Sequence, residues 1–425
     1  MNNLNLQQHN SQITTTNKYE ESPLTAAIES NSVDVVRALV SGCRCNPNIQ
    51  DLIGRTPLIA AARFNNSEIV EILLADKKVD PNLKSNGLDE CTALRCAVMY
   101  DSFDVIKILL SDPRVDLNIK MGKHGITSLM VAVMENKLEI VKMFLASKRA
   151  DINARDNYGV TPLMSAVLHK RKDMVQELIV NGADVNMVGN GMYCAGKSAL
   201  MIAVMTIEDV EITKILLTAK DINPNIQDNF RDTALMSAVS DNNPLIVKEL
   251  LANPNTDLNV LCSVVQKTAL MDAIDHGYID IAKMLLESPN LDINIKDGFM
   301  GNTALMYATK DKLIDLVKII LSSPLVDVNA ISGLDGGTAL MWTISYCGNN
   351  IETVKLLLSD KRVDPNIQGT DGKTALMLAV DKNYFDIAME FFMHPKIDLK
   401  LKDKEGKTAY DFVVSEDMRQ LFSKN

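Results

Sequence analysis

Apolar and polar positions alternate along this chain in a pattern that returns about every 35 residues. In the stretch Thr92–Ile119, Leu94, Ala97 and Val98 make a short apolar stripe at helical spacing. Thr92, just before it, offers a hydroxyl that can cap the first helical turn. A polar break follows. Phe103-Asp104-Val105-Ile106-Lys107-Ile108-Leu109-Leu110 then reads as a second helix, apolar on one side with Asp104 and Lys107 facing out. Val115-Asp116-Leu117-Asn118-Ile119 is short and extended and leads into a turn of glycine and polar residues. Each unit therefore predicts a helix, a turn, a second helix and a projecting finger. Comparable first helices stop at Asn31, Asn65, Asn136, Asn242, Gly277 and Asn383, residues that tolerate the left-handed backbone a helix end requires.

The first helix opens on a phrase that recurs along almost the whole chain. It reads Thr233-Ala234-Leu235-Met236, Thr268-Ala269-Leu270-Met271, Thr303-Ala304-Leu305-Met306, Thr338-Ala339-Leu340-Met341 and Thr374-Ala375-Leu376-Met377. Earlier copies open at Thr56, Thr92, Thr127, Thr161 and Ser198, and degraded ones at Ser22 and Thr408. Successive copies start 34 to 37 residues apart. A fixed period of this size means stacked supersecondary units, each contacting only its neighbours.

These units resemble the ankyrin repeat family. Its isoleucine- and valine-rich second helix ending in paired leucines appears as Glu68-Ile69-Val70-Glu71-Ile72-Leu73-Leu74. Its alanine-aspartate-valine-asparagine element appears as Ala183-Asp184-Val185-Asn186, Val326-Asp327-Val328-Asn329 and Val363-Asp364-Pro365-Asn366. The resemblance implies an all-α repeat solenoid, a helix-turn-helix stack with short β-hairpin fingers, spanning residues 19–425 in about twelve units. Residues 1–18, rich in Asn, Gln and Thr, are expected to be a disordered tail, and 403–425 a polar terminal cap. One departure recurs: the family's histidine in the opening phrase is methionine in eight units, from Met130 to Met377, and is read as core packing. Another is finger length, greatest from Asn186 to Ser198.

Bulk properties narrow the function. No apolar run reaches the length of a membrane-spanning helix, and the N-terminus has no basic stretch followed by an apolar one. The seven scattered cysteines suit a reducing compartment, the cytoplasm or the nucleus, better than a disulfide framework. A net charge of −10 argues against general affinity for nucleic acid or anionic membrane. A monomer is expected.

Candidate chemistry is thin. The five histidines fall in different units or the tail, and Cys43-x-Cys45 has no second pair nearby to complete a metal site. Asp275-His276 is the one adjacent acid–imidazole pair, at a position where other units carry ordinary surface residues. Glycines such as Gly54, Gly159 and Gly372 recur as finger turns, not as a phosphate cradle. Basic residues from Arg37 and Lys107 to Lys355 form a ladder on the second helices, but most have an acid three positions earlier and read as a solvated face. No cofactor, no metal and no enzymatic activity are expected.

The informative positions are the seventh and eighth after each opening Thr or Ser, which the resemblance places at the rim of a concave groove. In repeats two to six they hold Arg63-Phe64, Met99-Tyr100, Met134-Glu135, Leu168-His169 and Met205-Thr206; in repeats seven to eleven they are mostly polar. The fingers of the same half add Leu52, Ile53, Arg55, Tyr158, Met192 and Tyr193. Aromatic, methionine and arginine side chains gathered on one face mark an interface. The expected function is a scaffold or adaptor that binds a protein partner on the concave face and fingers of repeats two to six. The alternatives are a steric regulator of a bound enzyme, which is the same contact with a different outcome, and a host-directed effector of a virus or intracellular microbe, acting in the host cytosol.

Overall fold

The structure, a computed structural model, describes residues 22–42, 45–86, 90–191, 194–205, 210–262, 266–310 and 313–423. The segment expected to be a disordered tail lies outside them, as do Cys43, Met192, Tyr193 and Thr206. The chain divides into two units, Met1–Ile222 and Asn223–Asn425. The first contains the helix pairs Pro23–Glu29 with Val33–Ser41, Pro57–Arg63 with Ser67–Ala75, and Ala93–Met99 with Phe103–Ser111. It continues with Ser128–Met134 and Leu138–Ser147, Pro162–Leu168 and Lys172–Val180, and Ala199–Met205 and Val210–Leu217. The second contains Ala234–Ser240 with Pro244–Ala252, Ala269–Asp275 with Ile279–Leu286, and Ala304–Lys310 with Ile314–Ser322. Ala339–Tyr346 with Ile351–Ser359, and Ala375–Asp381 with Phe385–Phe392, follow; a 3-10 turn at Ala409–Phe412 and the helix Glu416–Ser423 come last. Within each unit a first helix packs on its own second helix and on the next first helix, and second helices stack likewise. This is an all-helical repeat solenoid.

The opening phrase accounts for the first helices. The Thr127 hydroxyl accepts from the Met130 N–H at 3.3 Å, and the same contact recurs at Thr56, Thr161, Thr233, Thr268 and Thr374. The methionines point inward: Met130, Met164, Met201, Met236, Met271, Met306, Met341 and Met377 are all buried. Each fully buried aliphatic side chain on the second helices, such as Ile69, Val70 and Leu73, adds roughly 1.5–3 kcal/mol of transfer free energy. Among the described residues, the chain reverses after a first helix through one left-handed residue. Asn31, Asn65, Asn136, Asn242, Gly277 and Asn383 take that role, and Asp101 and Lys170 take it where neither Asn nor Gly is present.

Polar ladders tie successive repeats together. Asn82 Oδ1 accepts from the Asp116 N–H at 2.8 Å while its Nδ2 donates to the Arg114 carbonyl at 2.8 Å. Asn118, Asn225, Asn259, Asn294, Asn329 and Asn366 make the same pair of contacts to the repeat that follows. Between the helices, Ser102 Oγ donates to the Ala62 carbonyl at 2.8 Å. Lys137 Nζ donates to the Val98 and Met99 carbonyls at 2.8 and 2.9 Å, neutralising the negative end of that short helix.

The fingers differ from the expected hairpins. Among the described residues they hold three isolated antiparallel bridges, Met121 with Ile126, Val188 with Ser198 and Gln368 with Thr374, and otherwise turns. The cause is competition for backbone groups. Aspartates inside the turn take N–H groups, as Asp156 does from Tyr158 and Val160, and neighbouring fingers take others, as where the Asn157 N–H donates to His124. Such contact leaves little room. Gly54 has φ +78°, and a Cβ there would lie 2.5 Å from the Asn86 nitrogen.

On the outer face, Lys107 with Asp104, Lys142 with Glu139 and Lys214 with Glu211 pair at 3.0–3.2 Å, three residues apart. Arg37 and Lys355 instead pair with the next repeat, at Glu68 and Glu390. The ladder is an exposed ion-pair face, in which each contact adds well under 1 kcal/mol. Among the described residues no helix is long and apolar enough to cross a membrane.

Candidate functional site

Each first helix in repeats two to five is two turns long, so its last residue and its cap fall past the buried stripe. Arg63, Met99, Met134 and Leu168 are those last residues; Phe64, Tyr100, Glu135 and His169 are the caps. Phe64 is 46% exposed and Tyr100 50%, while the residues one turn back are buried. The Arg63 guanidinium lies 5.2 Å from the Tyr100 ring centre and 6.0 Å from that of Phe64, which holds three large side chains in one group across two repeats. Met99 and Met134 line a hollow of about 220 Å³ with Arg95, Ile126, Val131 and Glu135. Leu168 and Met205 are exposed in the following repeats. His169 Nδ1 sits 2.8 Å from the Ser165 carbonyl of its own helix.

The finger residues divide. Leu52 and Ile53 stand out at a turn tip. Arg55 does not: its side chain is only 14% exposed and is paired with Asp51 at 2.8 Å and Glu29 at 2.6 Å, so it braces the finger against the preceding helix. Tyr158 keeps its ring 5.5 Å from that of His124, and its carbonyl accepts from the Asn190 and Gly191 N–H groups. Met192 and Tyr193 lie outside the described residues.

The second unit holds a cavity that takes Asp275, Lys310 and Tyr346 from the seventh and eighth positions and the rest of its lining from registers those positions do not report. Three successive repeats line about 410 Å³ with Lys267, Asp275, Phe299, Met300, Asn302, Tyr307, Lys310, Trp342 and Tyr346. Its walls are the fourth residues after the opening threonines, Tyr307 and Trp342. The other repeats from the second to the eleventh carry Ala60, Cys96, Val131, Ser165, Ile202, Ser237, Asp272 or Leu378 there, so two large aromatics in adjacent repeats are a signal visible in the sequence. The Tyr307 hydroxyl donates to Asp297 at 3.0 Å; burial and that carboxylate together push the phenol well above its ordinary range. Asp275 is held below the usual carboxylate range. Burial alone would raise it, but Lys267 at 2.5 Å and Lys310 at 3.5 Å prevail. Asp275 thus belongs to the two lysines. His276 turns instead to Asp272, with Nδ1 at 2.9 Å from its carbonyl, and the adjacent acid and imidazole do not form a working pair. Among the described residues no three His, Cys, Asp or Glu side chains gather to hold a metal ion.

The family model described as "Ankyrin repeats (3 copies)" matches residues 2–85, 43–121, 94–189, 200–297, 290–368 and 340–421. The chain belongs to the ankyrin repeat family. Ankyrin repeats are modules of protein–protein interaction, and this chain carries them over nearly its whole length. No curated protein matches it. Among solved structures it is similar to the ankyrin repeat domain of Bcl-3, described as a unique member of the IkappaB protein family, at 21% identity. That likeness covers 62% of this chain and 98% of the other, with a TM-score of 0.39. It is also similar to a chain from the complex of a predatory endopeptidase of Bdellovibrio bacteriovorus with an immunity protein. There the identity is 32%, over 47% of this chain and 100% of the other, and the TM-score is 0.39.

Proposed function

We propose that this ankyrin repeat protein is a non-enzymatic scaffold or adaptor that holds a protein partner on the first-helix rim and fingers of repeats two to six. The observation that carries the reading is the exposed group of Arg63, Phe64 and Tyr100, held together by stacking and continued by Met99, Met134, Leu168 and Met205 at the same register of successive repeats. Such a surface is formed before the partner arrives. Arg63 is already stacked and Lys137 already anchors the helix end below Tyr100, so little side-chain freedom is lost on association. Large aromatic and arginine side chains at the centre of a contact contribute most of its affinity.

The test is affinity capture from the native cell with the wild type beside a Phe64→Ala/Tyr100→Ala/Leu168→Ala variant, with bound proteins quantified by mass spectrometry. A partner is expected to fall at least tenfold in recovery while circular dichroism shows the variant folded. Equal recovery on both baits sinks the assignment to repeats two to six.

A further inference from the structure

We infer that the cavity between Tyr307 and Trp342 is a second protein-binding site, which takes a peptide segment carrying a bulky apolar side chain next to an Asp or Glu. It stands on residues of repeats eight to ten and does not rest on the surface proposed for repeats two to six.

The volume of about 410 Å³ falls in the range of sites that enclose a ligand group. Phe299, Met300, Trp342 and Tyr346 give it apolar walls, and the Trp342 and Tyr346 rings brace each other at 4.7 Å between centres. An apolar body is what such walls desolvate favourably.

The charge of the lining selects the neighbouring group. Lys267 and Lys310 face one carboxylate, Asp275, which leaves one positive charge in excess on a chain whose net charge is −10. Asp297 lies behind Tyr307, and its carboxylate is occupied by four backbone N–H groups and the Tyr307 hydroxyl. Lys267 is committed to Asp275 and lies 4.8 Å above the Tyr307 ring. The Lys310 side chain, more distant from Asp275, is 42% exposed and can take a second carboxylate.

Phe299, Tyr346 and Lys310 in the lining are exposed, so the cavity opens to solvent. A side chain can enter it while the chain that carries it stays outside, a geometry that favours a peptide segment over a small organic acid.

Trp342 is the chain's only tryptophan and reports the site directly. The full-length protein is titrated with N-acetylated, C-amidated pentapeptides Ala-X-Glu-Ala-Ala, where X is Leu, Met, Phe or Tyr, and Trp342 emission is followed. At least one of the set is expected to shift the emission saturably. Replacing its Glu by Gln should weaken binding about tenfold, and replacing it by Lys should abolish it. Lys310→Gln should erase the preference for Glu over Gln, whereas Leu245→Ala, on an exposed site elsewhere in the same unit, should bind as wild type. No saturable shift with any peptide at millimolar concentration overturns the proposal, as does equal affinity for Glu and Gln. Binding of 3-phenylpropionate as tight as that of the best peptide assigns the cavity to a free aromatic acid and overturns it too.

Discussion

Asn329 shows how one residue type carries the join between repeats. Its side chain accepts from the Asp364 N–H at 2.9 Å and donates to the Arg362 carbonyl at 2.8 Å, while its own N–H is held by Asp327. Two exposed hydrogen bonds of this kind are together worth about 1–2 kcal/mol. Asn329→Ala is therefore expected to lower the unfolding free energy of the second unit by that amount, seen as a lower urea midpoint of Trp342 emission. The finger motif of aspartate, any residue and asparagine was legible in the sequence; that its asparagine spans to the next repeat was not, since its partners lie more than 30 residues away. Arg362 adds a pH dependence. Its hydrogen bond, with burial opposing it, holds Asp360 below the usual carboxylate range. A carboxylate with a depressed folded pKa contributes stability above its unfolded value of about 3.9, and that contribution is lost as pH falls through the folded value. Arg362→Met should raise the Asp360 titration seen by NMR. The share of its destabilising effect that comes from Asp360, present at neutral pH, should fade once the solution is more acidic than that window, while the share from the lost bonds to the Leu321 and Ser323 carbonyls should remain.

At the scale of the element, several second helices end against a cation from the next repeat. Arg149 supplies one, donating to the Leu110 carbonyl at 2.8 Å and the Asp112 carbonyl at 3.0 Å, and Arg114 and Arg362 reach back in the same way. In the ninth repeat the equivalent residue is Leu325, which is 75% exposed beside a cavity of about 410 Å³ lined by Leu286, Ser288 and Leu291. Those three are the counterparts of the residues whose carbonyls Arg149 caps. Leu325→Arg is expected to stabilise the protein by about 1 kcal/mol, measured as a raised urea midpoint, because it satisfies helix-terminal carbonyls and removes an exposed leucine. The helices themselves were legible from period and caps. The hairpin fingers were an implication of the family resemblance, yet their N–H groups go largely to turn aspartates and to neighbouring fingers, which no single repeat can show.

Over the whole molecule, stability in a repeat array is close to a sum of units and nearest-neighbour contacts. Phe144 is fully buried in the first unit and Trp342 lies in the second. Phe144→Ala should cost about 3–5 kcal/mol locally. Far-UV circular dichroism, which sees every helix, should then begin its transition at lower urea, while Trp342 emission should keep a midpoint closer to wild type. Coincident shifts in both probes would show that the two units unfold as one.

Periodicity, the capping threonines, the inward methionines and the rim positions of repeats two to six were all set by the sequence alone, because each depends on residues within one helix or one turn. The tertiary structure decided which polar groups remain available. It committed Arg55 to Asp51 and Glu29, drew Asp275 away from His276 toward two lysines, and closed a cavity around Tyr307 and Trp342 from three repeats. Each of these outcomes joins side chains from different elements or repeats. A pattern read along one chain segment carries no distance between them, and stacking supplies it.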